Sequence, residues 1–448
     1  MTGPETDRIR SAVKDCVHCG FCLPACPTYQ LWGEEMDSPR GRIHLASQLL
    51  DGAPMTQATA EHFDRCLGCM ACMTACPSGV QYDQIIEAAR DWVETAEPVS
   101  ESSAATARRS LRDRATREAI FALFPYPERL RAAVGPLRLM QRTGLDKLIA
   151  RSGLPRLISP TAEAALRIAP RPSRSGKAFP AGRFPERVPA LRQRRATVGM
   201  LTGCVQSVYF PRVNAATARV LAAEGCDVII PRDQGCCGAL SSHSGRISEA
   251  AGFARKVIET FEAADVDAIV VNSAGCGSAM KEYERLFAHE DPSWARRAAA
   301  LSAKVKDLSE FLSGLDPVAP RHPLPVKAAY HDACHLGHAQ GITAQPRSLL
   351  RDIPSLELVE LPDAGTCCGS AGVYNLLQPE AARELGSRKA DAVQSTGASL
   401  VISANPGCPL QISSELASRG VRMATAHTAE VLDASIRGVN PFPTSGRK

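Results

Sequence analysis

The chain contains no long apolar run. No stretch of its 448 residues approaches the roughly 18 consecutive apolar residues that a membrane-spanning helix requires. Residues 1–15 are polar and charged and lack the apolar segment of a secretory signal, so we expect the protein to remain in the cytoplasm. Because the cytosol keeps thiols reduced, we expect its 17 cysteines to bind metal or to do redox chemistry rather than to form disulfides.

Nucleotide-binding motifs are also missing. The chain has neither the G-x-G-x-x-G loop of dinucleotide-binding domains nor a phosphate-binding P-loop. Residues 101–200 hold 19 Arg and 2 Lys against 7 acidic residues, a local charge of +14 (21 − 7). This basic segment is either a docking surface for an acidic partner or lipid headgroups, or a solvated linker. Few aromatic residues and no helix-turn-helix or zinc-finger spacing accompany it, so we expect no nucleic-acid partner.

The cysteines that are present fall into ordered sets, and the first eight form two copies of C-x2-C-x2-C-x3-C-P. They are Cys16, Cys19, Cys22 and Cys26, and, displaced by 50 residues, Cys66, Cys69, Cys72 and Cys76. Three thiolates at this spacing surround one face of a 4Fe–4S cluster, and in two-cluster ferredoxins the fourth cysteine binds the other cluster. The motif therefore predicts two 4Fe–4S clusters that exchange their fourth ligands.

The exchange assigns each cysteine to one cluster. The first cluster is expected on Cys16, Cys19, Cys22 and Cys76, and the second on Cys66, Cys69, Cys72 and Cys26. Gly20 and Gly68 allow the loops to approach the sulfides closely, and Pro27 and Pro77 turn the chain after the fourth cysteine. Zinc is the alternative metal, but zinc sites use separated C-x2-C pairs rather than four-cysteine runs.

Eight further cysteines form two copies of a sparser pattern built around Cys-Cys-Gly. They are Cys204, Cys236, Cys237 and Cys276, and then Cys334, Cys367, Cys368 and Cys408. Corresponding cysteines lie 130, 131 and 132 residues apart, which indicates a duplicated structural unit. Three interpretations stay open for these sets. They bind a further iron–sulfur cluster, they form a vicinal dithiol that cycles to a disulfide, or one copy is a vestigial fold element.

Several residues near these sets belong to no motif. Cys226 begins an apolar run and is interpreted as a buried structural thiol. Five polar residues flank the cysteines and are interpreted as hydrogen-bonding groups at strand ends, with a ligand or proton-transfer role as the alternative. They are His243, His331, Asp332, His335 and His338.

The apolar periodicity predicts an α+β multidomain protein. We expect an N-terminal all-α ferredoxin-like dicluster domain (1–92), a basic Pro/Arg-rich helical connector (93–195), and two duplicated α/β Cys-Cys-Gly domains with mainly parallel sheets (196–320 and 321–440). Predicted connector helices are 111–123, 128–142 and 161–168, followed by an irregular linker at 169–193. Predicted strands are 196–201, 227–230, 268–271, 328–331, 356–361 and 400–403. Predicted helices between them include 208–223, 247–264, 378–394 and 409–418.

These motifs together resemble the iron–sulfur subunit of glycolate oxidase. Its dicluster ferredoxin domain is similar to C-V-H-C-G-F-C-L-P-A-C-P-T, S-P-R-G-R-I and C-L-G-C-M-A-C-M-T-A-C-P-S-G-V. Its first Cys-Cys-Gly domain is similar to T-G-C-V-Q, Q-G-C-C-G-A-L-S-S-H and N-S-A-G-C-G-S-A-M-K-E-Y, and its second to H-D-A-C-H-L-G-H, C-C-G-S-A-G-V-Y-N and A-N-P-G-C-P-L-Q. The resemblance covers nearly the whole chain except the Pro/Arg-rich middle.

The resemblance implies an electron-transfer subunit of a multi-subunit glycolate dehydrogenase, without catalytic residues of its own. FAD-binding subunits would oxidise glycolate to glyoxylate. This chain would pass the electrons towards a quinone or another membrane acceptor, from a peripheral position at the inner face of the cytoplasmic membrane. We therefore expect the isolated chain to be inactive on glycolate.

The Cys-Cys-Gly domains also resemble those of lactate-utilisation proteins, anaerobic glycerol-3-phosphate dehydrogenase and heterodisulfide reductases, which remain alternatives. In heterodisulfide reductases each domain ends in C-x-x-C and can bind a non-cubane cluster. Here Ala279 and Gln411 stand three residues after Cys276 and Cys408, so one thiol is missing from each copy. This departure argues against a thiol–disulfide reductase. A non-catalytic iron–sulfur sensor is a further alternative, but the chain has no recognisable effector domain.

Overall fold

The N-terminal region is built from helices. The computed structural model describes residues 4–95, 109–153, 155, 159–169, 184–288 and 291–443. Within residues 4–95 the helices are Pro4–Lys14, Pro27–Trp32, Pro39–Leu50, Gln57–Asp64, Ala71–Thr74 and Tyr82–Thr95, with a 3-10 helix at Glu35–Asp37. They enclose a core that includes Ile43, Phe63 and Ile85. No strand occurs in residues 4–95, so the expected all-α character is confirmed.

The sequence S-P-R-G-R sets the start of the helix between the two motifs. Ser38 Oγ accepts a hydrogen bond from the Gly41 N–H at 3.0 Å, and Pro39 occupies the first turn, where its missing N–H removes no helical bond. A Cβ at Gly41 would lie 2.0 Å from the Glu35 carbonyl oxygen, so only glycine fits there. This packing turns Arg42 inward, where it is 1% exposed.

The connector is also helical where it is described. Its helices are Leu111–Leu123, Pro127–Thr143, Leu145–Arg151 and Pro160–Ile168, and three of them match the predicted helices. Arg109 and Arg117 form ion pairs with Asp64 and Glu94 of the N-terminal region. Part of the basic charge therefore attaches the connector to its neighbours. Of the predicted linker 169–193, residues 170–183 lie outside the described residues.

The first Cys-Cys-Gly copy forms a five-stranded sheet in the order β1-β3-β2-β4-β5. Its strands are β1 (Arg187–Val188), β2 (Ala196–Leu201), β3 (Cys226–Ile229), β4 (Ala268–Val271) and β5 (Val305–Asp307). β1 runs antiparallel to β3, and the other pairs are parallel. β2, β3 and β4 match predicted strands, whereas β1 and β5 were not predicted.

The second copy forms a four-stranded parallel sheet in the order β7-β6-β8-β9. Its strands are β6 (Val326–His331), β7 (Leu356–Glu360), β8 (Leu400–Ser403) and β9 (Ala424–Ala426). This order repeats β3-β2-β4-β5 of the first copy, so the duplication seen in the cysteines extends to the topology. In both sheets the strand order reverses direction between the first and third strands, which is where open α/β sheets bind ligands.

Helices connect the strands on both faces of the two sheets. They are Cys204–Tyr209, Pro211–Ala223, Ala239–Ser242, Ile247–Ala264, Ala274–Lys281, Tyr283–Phe287, Pro292–Lys304, Leu308–Ser313, Cys334–Gly337, Ala344–Arg351, Tyr374–Leu377, Pro379–Ser395, Gly407–Ser418 and Thr428–Ile436. The predicted helix 208–223 is wrong in one respect: a new helix starts at Pro211, which cannot donate a backbone hydrogen bond to a continuing helix. In the described ranges, no helix combines the length and apolarity needed to cross a bilayer.

Equivalent helices of the two copies exchange contacts. Helix Pro211–Ala223, which follows β2, packs on Thr428–Ile436, which follows β9. Reciprocally, Ala344–Arg351, which follows β6, packs on Leu308–Ser313, which follows β5. This is the relation that a two-fold axis produces in a dimer of identical chains.

The loops that follow the third strand of each copy also meet. The Ala274 N–H donates to the Ala404 carbonyl at 3.1 Å, and the Gly275 N–H donates to Asn405 Oδ1 at 3.4 Å. Both sheets contribute side chains to one apolar core. The cysteines that follow these strands are consequently brought towards each other.

Candidate iron–sulfur and Cys-Cys-Gly sites

The first cysteine motif lies near the protein surface. Cys16, Cys19 and Cys22 line a cavity of about 30 Å³ together with Cys76 and Cys72 from the second motif. Cys19 is exposed, and Cys16, Cys22 and Cys76 are half-buried. The chain thus brings together the four thiols expected to share the first cluster.

The second motif is buried. Cys66, Cys69 and Cys72 are 7%, 8% and 8% exposed, and Cys26 of the first motif is 7% exposed. Burial raises the pKa of Cys72 well above its ordinary value, and so do the charges of the neighbouring Cys69, Cys66, Cys26 and Cys22 thiolates. Cys26 therefore lies near the cysteines with which it is expected to share the second cluster, and also near Cys22 of the surface set.

Two guanidinium groups lie beside this buried set. Burial disfavours the Cys66 thiolate, but the charges of Arg42 and Arg90 outweigh burial and hold the pKa of Cys66 below its ordinary value. The Gly68 N–H donates to Cys66 Sγ at 3.4 Å, and the Tyr82 hydroxyl lies 3.5 Å from the same sulfur. Cations and donors of this kind stabilise the negative charge of a thiolate-bound cluster.

Each Cys-Cys-Gly motif ends in a glycine that the packing requires. Gly238 has φ +80°, and a Cβ there would lie 2.9 Å from the Ala250 carbonyl oxygen. Gly369 has φ +85°, and a Cβ there would lie 2.6 Å from the Ala382 carbonyl oxygen. In both copies the glycine lets the cysteine turn pack closely against the long helix that follows it.

All eight Cys-Cys-Gly cysteines line one cavity of about 670 Å³. In the first copy, the sulfurs of Cys204 and Cys236 are 3.5 Å apart. In the second copy, a hydrogen bond with Cys367 raises the pKa of Cys334 well above its ordinary value. The sequence predicted each set of four but not that both sets face the same cavity, because that depends on how the two copies pack.

The connector supplies an apolar wall of this cavity. Ile120, Leu123 and Leu166 line it, and Ile120 also lies in a cluster with Val373 and Leu376 from the second copy. A cavity of this size with mainly apolar walls and few polar groups is typical of small-molecule sites.

The buried cysteine motif lies next to the same cavity. Burial raises the pKa of Cys69 well above its ordinary value, and the charge of Cys334 contributes. Cys69 also lies in one apolar cluster with Cys367, and a ring nitrogen of His335 hydrogen-bonds the Gly68 carbonyl at 2.8 Å. The surface set therefore lies next to the buried set, and the buried set lies next to the shared cavity. We call this arrangement a row.

Most of the polar residues near Cys334 do form hydrogen bonds, as predicted. Asp332 pairs with Arg347 through two bonds of 2.8 and 2.6 Å, and His338 hydrogen-bonds the Gly365 carbonyl at 2.8 Å. In the first copy, His243 Nδ1 lies 2.8 Å from Glu87 Oε1. These contacts hold the second copy together and attach the first copy to the dicluster region.

His331 differs from these residues, and the hydrogen-bonding interpretation is wrong for it. The side chain is 1% exposed, and neither ring nitrogen has a hydrogen-bond partner within the described part of the chain. Burial lowers the pKa of His331 to about 3, so the ring is neutral at pH 7. A ring nitrogen and the sulfurs of Cys368 and Cys408 all lie within 4.8 Å of one another.

Cys226 behaves as predicted. It begins β3 and is fully buried in the core that the two sheets share. Burial raises its pKa to about 11, so it is an unreactive structural thiol.

A surface cysteine set, a buried cysteine set and a duplicated Cys-Cys-Gly unit around one cavity define an iron–sulfur protein built for electron transfer. Comparison with known families agrees with this class. Residues 12–80 match the 4Fe-4S dicluster domain, and residues 198–281 and 328–413 each match the cysteine-rich domain. Residues 112–169 match the linker region of the glycolate oxidase iron-sulfur subunit.

Individual relatives make the assignment more specific. The chain is 38% identical over 428 residues to a probable glycolate oxidase iron-sulfur subunit of Bacillus subtilis, covering 93% of each chain. It is 36% identical over 431 residues to the glycolate oxidase iron-sulfur subunit of Escherichia coli, covering 95% of each. A lactate utilization protein A of an Exiguobacterium strain is 34% identical over 54% of this chain and 98% of that protein. The chain belongs to the family of glycolate oxidase iron–sulfur subunits.

Proposed function

We propose that this chain is the electron-transfer subunit of a glycolate dehydrogenase, an acceptor-dependent oxidoreductase complex. A FAD-binding partner subunit oxidises glycolate to glyoxylate, and this chain receives the electrons. Two facts support the proposal. The relatives named as glycolate oxidase iron-sulfur subunits align over nearly their whole length. The observation that carries it is the row of two cysteine sets and one shared cavity, which joins the surface to the interior.

We assign the cluster ligands as the sequence predicted them. The surface 4Fe–4S cluster is bound by Cys16, Cys19, Cys22 and Cys76, and the buried one by Cys66, Cys69, Cys72 and Cys26. The residues fit such clusters because each set supplies four thiols, and cations and N–H donors lie beside the buried set. The domains are then 1–92, 93–195, 196–320 and 321–440, with β1 joined to the third.

We infer that electrons enter at the surface cluster. Two apolar side chains in its loop, Val17 and Phe21, are 69% and 65% exposed, although apolar groups of this size are usually buried. They flank the exposed Cys19. A partner that covered them would bring its flavin close to the cluster.

We propose a quinone-type acceptor for the other end of the route. The apolar wall formed by Ile120, Leu123 and Leu166 beside the Cys-Cys-Gly thiols supports an apolar electron acceptor. A quinone is dissolved in the membrane, so the complex would work from a peripheral position at the inner face of the cytoplasmic membrane. Binding of the complex to lipid vesicles in a flotation assay tests that position.

Reconstitution tests the proposed reaction. The chain is purified alone and together with its FAD-binding partner, and glycolate-dependent reduction of a soluble quinone analogue is measured. We expect activity from the complex and none from the isolated chain. Glycolate oxidation by the isolated chain would contradict the proposal. L-lactate and glycerol 3-phosphate serve as competing substrates, because lactate utilization proteins also match this chain.

A further inference from the structure

We propose that His331 is a protein ligand of an iron–sulfur cluster in the second Cys-Cys-Gly copy, and that the first copy has no corresponding ligand. The inference goes beyond the proposed function: it takes the expectation that the Cys-Cys-Gly thiols bind a further iron–sulfur cluster and assigns one more ligand to that cluster. It does not depend on which hydroxyacid the complex oxidises. The predicted ligand set of the second copy becomes His331, Cys334, Cys367, Cys368 and Cys408.

The position of His331 is that of a ligand. It is the last residue of β6, at the carboxyl edge of the sheet where the strand order reverses. It lines the cavity that the eight thiols share. A ring nitrogen lies within 4.8 Å of the sulfurs of Cys368 and Cys408, a separation that suits donors bound to one metal or to neighbouring metals of a cluster.

The unpaired state of His331 needs an explanation. An imidazole that is 1% exposed and has no hydrogen-bond partner in the described residues leaves both a donor and an acceptor unsatisfied. Buried polar groups of this kind destabilise a fold unless a partner satisfies them. A metal bound to one ring nitrogen satisfies the acceptor, and imidazole replaces thiolate on one iron of known two-iron clusters.

His331 also makes up for a missing thiol. The residue three positions after Cys408 is Gln411, and its side chain is occupied by other contacts. Gln411 Nε2 donates to the Ala382 carbonyl at 2.9 Å, and Oε1 accepts from Asn375 at 3.3 Å. His331 therefore supplies the fifth donor of the second copy.

The first copy has an apolar residue at the matching position. Cys334 corresponds to Cys204, so His331 corresponds to Leu201, and the sheet register agrees: His331 pairs with Ser403 as Leu201 pairs with Val271. Leu201 is 1% exposed and packs in an apolar cluster that includes Cys237. The two copies therefore differ in donor number, five against four.

The test counts iron and looks for histidine nitrogen. Iron and acid-labile sulfide are measured in the full chain as purified anaerobically with its clusters, and in His331→Ala, His331→Cys and Leu201→Ala. A four-iron cluster in the second copy, with none in the first, brings the total with the two ferredoxin-type clusters to about 12 irons per wild-type chain, and His331→Ala should fall to about 8. Leu201→Ala is the matched control, since it also opens space at a strand end but removes no donor, and it should keep the wild-type count.

Spectroscopy adds a measurement on the wild-type chain itself. Pulsed EPR on the reduced wild-type chain, labelled with ¹⁵N-histidine, should show a histidine-nitrogen coupling, which His331→Cys loses while it keeps its iron. Unchanged iron in His331→Ala, or no nitrogen coupling in the wild type, would overturn the proposal. So would about one zinc per chain at this site, which would make it a zinc rather than an iron–sulfur site.

Discussion

The second Cys-Cys-Gly turn packs closely against the helix that follows it because Gly369 has no side chain. Gly369→Ala would combine a positive φ with a Cβ only 2.6 Å from the Ala382 carbonyl oxygen. We expect a loss of about 2–5 kcal/mol in the free energy of unfolding, from backbone strain and steric overlap together. Gly341→Ala is the control: its φ is +68°, but a Cβ there meets no atom within 4 Å. Denaturant unfolding of both variants gives the comparison, and equal losses would disprove the steric argument.

The exchange of cluster ligands can be tested at single cysteines. In a Cys19→Ser/Cys22→Ser background, which removes two ligands of the surface cluster, only the buried cluster should remain. Adding Cys76→Ser should then change nothing, whereas adding Cys26→Ser should remove most of the remaining iron, because Cys26 lies among the buried thiols. Iron analysis and EPR of the reduced proteins give the result. The opposite pattern would show that each motif keeps its own fourth cysteine.

His427 should make stability depend on pH. Its Nδ1 accepts a hydrogen bond from the Ala429 N–H at 3.0 Å at the start of helix Thr428–Ile436. Burial lowers the pKa of His427 from 6.5 to about 4, so the unfolded chain takes up a proton at a higher pH than the folded chain. The stabilisation is therefore fully present above pH 6.5 and is lost as the pH falls towards 4.

His427→Asn tests this titration. Asparagine keeps a cap acceptor but does not ionise, so the wild type should lose about 2 kcal/mol more than the variant between pH 7 and pH 5. Thermal unfolding at the two pH values gives the difference. His44→Asn, at an exposed position, should follow the wild type. Parallel pH curves for His427→Asn and the wild type would rule out His427 as the cause.

The loop of the surface motif is the element that should contact the flavoprotein. Val17→Ser/Phe21→Ser removes two exposed apolar side chains without touching a cysteine. Burial of one such side chain contributes about 1.5–3 kcal/mol, so we expect the Kd for the FAD-binding subunit to rise at least about tenfold. Leu191→Ser is the control, since Leu191 is 71% exposed elsewhere on the chain. A titration by calorimetry, with iron content checked, measures the effect, and equal affinities of the two variants would place the partner elsewhere.

Regular elements were predicted well where the apolar pattern was long. The helix Ile247–Ala264 was predicted residue for residue, and strands such as Leu400–Ser403 were too. The strands that were missed, β1, β5 and β9, have two or three residues each, too few to show an alternating pattern. The break before Pro211 was visible in the sequence, but the apolar periodicity continues across it.

The role of the connector could not be predicted from its composition. Its arginines indicate either a docking surface or a solvated linker, yet Arg117 is 7% exposed and pairs with Asp64 and Glu94. Its apolar residues, such as Ile120, cover the shared cavity. The ion pairs and the apolar contacts of the connector join residues that are far apart in the sequence, and the local sequence pattern does not show such contacts.

At the scale of the whole molecule, the candidate site was predicted in parts. Spacing identified the eight cysteines of the ferredoxin-type motifs, and the offset of the repeat identified the eight of the Cys-Cys-Gly copies. The common cavity and the contact between Cys69 and the second Cys-Cys-Gly set were missed, because they arise from domain packing. His331 was noted, but its lack of partners is a property of the folded interior.

Removal of iron should destabilise the N-terminal dicluster region more than the first Cys-Cys-Gly copy. Arg42 and Arg90 are 1% and 9% exposed beside Cys66, and a bound cluster would supply negative charge next to them. Arg42 keeps its buried ion pair with Asp37, but loss of the cluster removes negative charge beside both guanidinium groups and lowers the stability of this region. After chelation under reducing conditions, amide hydrogen exchange should therefore accelerate in the helices Gln57–Asp64 and Tyr82–Thr95. The helix Pro292–Lys304, in the first Cys-Cys-Gly copy, is the internal control. Equal acceleration in all three helices would contradict a local effect.

The reciprocal packing of the two copies also bears on how such a chain can evolve. In a dimer of identical chains, one codon change alters both halves, so both sites gain or lose chemistry together. Here each half has its own codons, and the helices that exchange contacts still hold both halves in place. One copy can therefore lose its cofactor and still be kept in evolution, because its helices support the fold of the other copy. The two copies differ in this way at one corresponding position, which is His331 in the second copy and Leu201 in the first.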